Sequence, residues 1–190
     1  MFTNTVTYWL LLSKNKEWKM VVLGKDNESM VAAEALGEHV YYDGDSIQHN
    51  LVLRHYTRSG KLIKSVKLND VLQGDKVVML LSPNCCSSCA RGEINKLLDL
   101  SKKIGSDRLI FIADYAMHTE HLWTMCLDKD GFYETDVEHL GLKGSPTRET
   151  PVVMLTHNGR VKTSFVVGQQ TSDFVDGFHD YLIEYFKGKK

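Results

Sequence analysis

Two hydrophobic periodicities divide this chain into segments. The apolar-rich runs Leu51 to Tyr56 and Lys61 to Val66 flank Thr57-Arg58-Ser59-Gly60, which predicts a β-hairpin. Leu68 to Leu72 reads as a short helical turn, and Gly74-Asp75 leads into a strand from Lys76 to Ser82 built on the run Val77-Val78-Met79-Leu80-Leu81. Ile94, Leu97, Leu98 and Ile104 then keep helical spacing as far as Gly105, a candidate C-cap. Arg108 to Ala113 is nearly continuous apolar sequence, as expected of a central strand covered on both faces. Strand, helix and strand in that order predict a parallel βαβ unit with a right-handed crossover. Pro151 to Thr156 and Val161 to Val167 flank His157-Asn158-Gly159-Arg160, a strong hairpin signal because Asn-Gly tolerates the positive φ angles of a tight turn. Last, Phe174, Val175, Phe178, Tyr181, Leu182, Tyr185 and Phe186 form one apolar helix face, with Thr171 or Ser172 able to cap its start. Gly177 inside that helix costs roughly 1 kcal/mol relative to Ala.

Outside these segments the pattern is weaker. Residues 1–47 read as an amino-terminal extension with a strand at Trp18 to Leu23 and a short helix through Ala32 and Leu36, and residues 48–190 as one principal domain. Val6 to Leu12 is apolar but well short of the roughly 20 residues of a membrane helix. With Lys14, Lys16 and Lys19 behind it, this segment suits either a buried strand or the trailing half of a membrane tether. Between Ala116 and Glu149 the expectation is a helix around His121 to Leu127 and a further helix or loop before Leu140.

Composition narrows the chemistry. The 23 Lys and Arg nearly balance the 24 Asp and Glu, and the tail Lys187, Lys189 and Lys190 is the densest basic run, so nucleic acid is not an expected partner. Of the four cysteines, Cys85, Cys86 and Cys89 crowd into one short stretch, which excludes a distributed disulfide framework and points to local sulfur chemistry. That stretch sits where the apolar strand gives way to the helical pattern. A thiol in a helix's first turn feels the unpaired backbone N–H groups and the positive end of the dipole, both of which favour thiolate. Cys86 is the candidate nucleophile, and Cys89, three residues on, can resolve a mixed disulfide formed by it.

The order of elements, together with Leu80-Leu81-Ser82-Pro83-Asn84-Cys85-Cys86-Ser87-Ser88-Cys89 and Thr150-Pro151, resembles the thioredoxin fold over roughly residues 50 to 187. Within that superfamily it is most similar to the TlpA/ResA-like thiol-disulfide oxidoreductases, with the accessory thioredoxins of methylamine utilisation sharing the Ser-Pro-x-Cys-x-x-Cys pattern. The resemblance implies an α/β architecture: a central mixed sheet flanked by helices, an amino-terminal extension and β-hairpin, and a helical insertion before the strand that follows a cis-proline. It implies catalysis by Cys86 and Cys89, with Thr150 and Pro151 docking an extended substrate strand beside them. It also implies a monomer in the bacterial periplasm or cell envelope, with a membrane tether at the amino end. Its partners would be protein disulfides or dithiols and a protein that resets the pair. No organic cofactor and no metal is expected.

Three departures from the family pattern bear on redox tuning. Cys85 puts a third thiol beside the nucleophile, Leu80 stands where typical thioredoxins carry a buried acid, and Ile94 replaces a helix-kinking proline. Cys85 and Glu93 are the candidate modulators of the dithiol, although a glutamate one turn past Cys89 is expected to be exposed. Cys85-x-x-x-Cys89 is also the spacing of Sco-type copper chaperones, with His139 and His157 as the histidines to complete a site. Cys126 reads as a buried small hydrophobe, and His118 and His121 lack the spacing of a zinc pair. A peroxiredoxin pattern would need cysteine where Ala90 stands. A redox-inert binding module on the same scaffold is the remaining alternative.

Overall fold

A seven-stranded sheet is the frame on which the cysteine segment hangs. In the computed structural model of the 190-residue chain, residues 9–10, 19–20, 44–48, 50–56, 61–82, 87–114, 132–142, 151–167 and 172–188 are described. Two compact units divide the chain: Met1–Val40 with Thr171–Lys190, and Tyr41–Gln170. In the first, β1 (Trp9–Leu10) and β2 (Lys19–Met20) pair antiparallel with Trp9 opposite Met20, so a strand falls in each apolar segment of the extension.

The second unit carries the sheet. β3 (Val52–Tyr56) and β4 (Leu62–Lys67) form the expected antiparallel hairpin, Leu53 opposite Val66, with a bulge at His55/Tyr56. A single helical turn, α1 (Leu68–Val71), follows and buries Leu68. β5 (Asp75–Leu81) is buried from Val77 onward. The helix α2 (Ser87–Ile104) and a 3-10 turn (Ser106–Arg108) lead to β6 (Leu109–Asp114), parallel to β5 with Val77 opposite Leu109. This is the expected βαβ unit. Ala90, Ile94, Leu97 and Ile104 are its buried helical stripe, and Lys102 and Lys103 in the last turn suit the negative end of the dipole. Gly105 stops the helix: its N–H donates to the Ser101 carbonyl at 2.9 Å, and its φ of 109° is a conformation that side-chain-bearing residues rarely adopt.

β7 (Tyr133–Thr135) runs parallel to β6 and antiparallel to β3. It corrects the expectation of only helix or loop before Leu140, although a 3-10 turn (Val137–Leu140) does follow it. The helix expected at His121 to Leu127 lies outside the described residues. β8 (Val152–His157) and β9 (Arg160–Val166) close the sheet as the expected hairpin. Its turn has φ of 49° at Asn158 and 76° at Gly159, the left-handed pair that an Asn-Gly turn accommodates.

Strand order is β4-β3-β7-β6-β5-β8-β9, with β5 between a parallel and an antiparallel neighbour. One face gathers Leu53, Leu68, Val78, Leu80, Ile112 and Met154 into a single apolar cluster, and the alternate residues Val77, Met79, Phe111 and Leu155 are equally buried. That double burial explains the continuous apolar runs of β5, β6 and β8. The architecture is α/β with a thioredoxin-like topology, a mixed sheet flanked by helices.

In the first unit, α3 (Ser172–Lys187) buries Val175, Phe178, Leu182 and Phe186, as the apolar periodicity requires. Among the described residues no helix is long and apolar enough to cross a membrane.

Candidate functional site

The cysteine segment leaves the sheet at the carboxyl ends of the parallel pair β5 and β6, where Leu81 stands opposite Ala113. Open α/β sheets favour ligands at this end because strand carboxyl ends and helix amino ends converge there. Ser82, the first residue past β5, is buried, and its hydroxyl has no hydrogen-bond partner among the described residues. Cys85 and Cys86 lie outside the described residues. The chain resumes at Ser87 as α2, and Cys89 is half-buried in the helix's first turn. A sulfur there meets the helix's unpaired N–H groups while keeping contact with solvent.

Glu93 follows one turn later on the same helix face and is only 4% exposed, which corrects the expectation of a solvated side chain. A buried carboxyl four residues from a cysteine can oppose a thiolate or exchange a proton with it. Leu80, 2% exposed, sits in the apolar cluster, so the place of the missing acid is filled by core packing.

Pro151 reaches the same end of the sheet from the other side. It is buried immediately before β8, where Val152 stands opposite Leu80 of β5. Its carbonyl accepts the Val167 N–H at 2.8 Å, which ties the strand start to the end of β9. Thr150, and with it the Thr150-Pro151 peptide, falls outside the described residues. The structure therefore brings Cys89, Glu93, Ser82 and Pro151 to one end of the sheet. Asp114, also at this end, accepts the Val137 N–H at 3.1 Å and holds the chain leaving β7. Ser82 and Asp114 carried no sequence signal beyond the Ser-Pro dipeptide, since a lone polar residue at a strand end has many uses.

His157 does not belong to this end. It stands opposite Asp75 at the start of β5, and its Nδ1 lies 2.9 Å from the Asp75 carboxylate. Its Nε2 is 3.2 Å from the Asn158 amide nitrogen, and the Asn158 side-chain oxygen accepts the Gly74 N–H at 2.7 Å. The six residue steps of β5 separate it from the cysteine end by about 20 Å. A copper site shared by His157 and Cys89 is ruled out by that separation. The side chain of His139, and all of His118, His121 and Cys126, lie outside the described residues. Among the described residues no three His, Cys, Asp or Glu side chains gather as a metal site.

A separate hollow of about 900 Å³ opens between the last turns of α2 and the neighbouring strands, lined in part by His55, Lys76, Asp99, Phe111 and Tyr133. His55 stacks on Tyr133 with ring centroids 4.6 Å apart, and its buried Nδ1 has no hydrogen-bond partner among the described residues. Burial, and then the nearby Lys64 charge, lower the His55 pKa, whereas burial raises that of Tyr133. Both rings are held neutral near pH 7.

By sequence, no family model and no curated protein matches this chain. Solved structures of similar shape include a putative thiol:disulfide interchange protein DsbE from Chlorobium tepidum, 13% identical with a TM-score of 0.49, covering 75% of this chain and 98% of that one. A DsbF homologue from Corynebacterium diphtheriae is 15% identical with a TM-score of 0.49, covering 75% and 92%. The reduced 2-Cys peroxiredoxin of Plasmodium vivax is 15% identical with a TM-score of 0.49, covering 77% and 84%.

Proposed function

We propose that this protein is a thiol-disulfide oxidoreductase that exchanges a Cys86/Cys89 dithiol with disulfides of other proteins, acting as a reductase in a bacterial envelope. The observation that carries this reading is the half-buried Cys89 in the first turn of an 18-residue helix that follows the central parallel strand. A purely structural cysteine would sit in the apolar stripe with Ala90 and Ile94. In the forward direction the Cys86 thiolate attacks one sulfur of a substrate disulfide. The substrate S–S bond breaks, a Cys86–substrate disulfide forms, and the first substrate thiolate leaves. Cys89, as thiolate, then attacks the Cys86 sulfur. The Cys86–Cys89 bond forms, the second substrate thiolate leaves, and two electrons have passed to the substrate. A dithiol protein returns the pair to its reduced state by the same exchange in reverse.

Thr150 and Pro151 dock the substrate strand in this reading, supported by the position of Pro151 beside β5. Glu93 sets the proton affinity of the dithiol from its buried site, and Cys85 is a second modulator. Cys89→Ala removes the internal resolving thiol, so a mixed disulfide through Cys86 is expected to persist after exposure to an oxidised protein substrate. Mass spectrometry of the trapped adduct checks this. An adduct carried by Cys85, or none while the unaltered protein cycles, overturns the assignment.

A further inference from the structure

The chain's formal net charge is −1, yet from Ser46 to Asn69 it carries Arg54, Arg58, Lys61, Lys64 and Lys67 and not one Asp or Glu. Arg54 stands on β3 and Lys64 and Lys67 on β4, with Lys61 just ahead of β4, at one end of the sheet. Among the described residues β4 is the terminal strand. Leu62 to Ser65 and Lys67 are exposed along it, and Arg54 of β3 stands beside Glu134 of β7, so the outward positive charge is that of the β4 lysines. Among the described residues, the large apolar side chains left exposed by about half are Val52, Leu62 and Ile63, and all three lie on this hairpin. The opposite edge is treated differently. Gly44 N–H bonds to the Val161 carbonyl at 2.9 Å, Val161 N–H to the Asp45 carbonyl at 2.8 Å, and Ile47 N–H to the Gly159 carbonyl at 2.8 Å, so the chain itself covers the start of β9.

We propose that β4 docks an extended acidic segment of another protein, which adds to the sheet as a further strand. A terminal strand offers a row of backbone donors and acceptors, and an added strand takes its affinity from that ladder and its specificity from alternating side chains. Lys64 and Lys67, three residues apart, lie on opposite faces of the strand, and Leu62 and Ile63 are exposed beside them, which suits a segment that carries both Asp or Glu and branched apolar residues on each face. Lysines on an edge strand deter pairing with a like strand, because a second copy would set ammonium groups opposite one another. The same charges select the acidic partner. A lipid headgroup or a nucleic-acid phosphate could meet the lysines but could not continue the backbone ladder. The surface uses no sulfur chemistry, so its failure and that of the oxidoreductase reading are separate outcomes.

The test uses the full chain and a fluorescein-labelled peptide of repeating Glu-Glu-Val-Val, which carries both residue types on each face of a strand, with binding read by anisotropy at low salt. The peptide is expected to bind, and amide hydrogen exchange across residues 61–67 is expected to slow on binding. Lys64→Glu combined with Lys67→Glu, both at exposed positions, should weaken binding about tenfold with an unchanged circular dichroism spectrum. N-methylation of every peptide amide should abolish it, since neither edge of the peptide can then donate to the ladder. Absence of peptide binding, indifference to the charge reversal, or equal binding of the N-methylated peptide overturns the proposal. So does charge-dependent binding to phosphatidylglycerol vesicles with none to the peptide.

Discussion

Glu93 shows how far a single position can depart from its local pattern. In sequence it is one more charged residue in a polar-rich helix, but the turn of α2 that carries Ala90 and Ile94 into the core carries Glu93 with them. A carboxylate there opposes a second negative charge on the same helix. Glu93→Gln is therefore expected to speed alkylation of Cys89 by iodoacetamide at neutral pH, and an unchanged rate would show that the two groups are uncoupled. His55 makes a prediction about stability instead. Its folded pKa lies below the 6.5 of the unfolded chain, because burial and Lys64 disfavour the imidazolium. Between those two values the unfolded chain binds more protons, so stability rises with pH through that window. The contribution is complete above the unfolded value and is lost as pH falls through the folded one. Urea denaturation from about pH 5 to 8 should show this slope, and His55→Gln should flatten it.

At the scale of elements, the clearest signals were those with a single physical cause. The Asn158-Gly159 turn needs two positive φ angles, and the aromatic stripe of α3 matches the helical period over its whole length. β7 escaped notice because a strand as short as Tyr133–Thr135 has no room for an alternation, and its place is set by β3 and β6 on either side. Glycine supplies a test of how far local propensity governs a helix. A Cβ added at Gly177 meets no atom within 4 Å, and the position lies inside α3. Gly177→Ala is expected to raise stability by roughly 1 kcal/mol in chemical denaturation. A loss would mean that the space beside α3 closes when the side chain is added.

Across the whole molecule, the βαβ core, both hairpins and the carboxyl-terminal helix were legible, because each rests on neighbours in sequence. The strand order was legible only around β5. That the β3–β4 hairpin joins the core through β7 depends on pairings between residues some 80 apart, Arg54 with Glu134 among them, which no local pattern encodes. The candidate site was legible by half: the helix-start cysteine came from spacing, whereas the buried glutamate came from tertiary burial. Segregation of charge was visible in the residues from Ser46 to Asn69 but acquired meaning only when β4 proved to be the terminal strand. One connection has a consequence for the order of assembly. Gly44 to Ile47 hold the first strand residues of β9, so a few residues strap that margin of the sheet. The strap finds its partners more than a hundred residues downstream, a long loop to close. A contact that closes so long a loop is expected to lock late in folding, and cleavage at residues 44–47 is expected to follow release of β9.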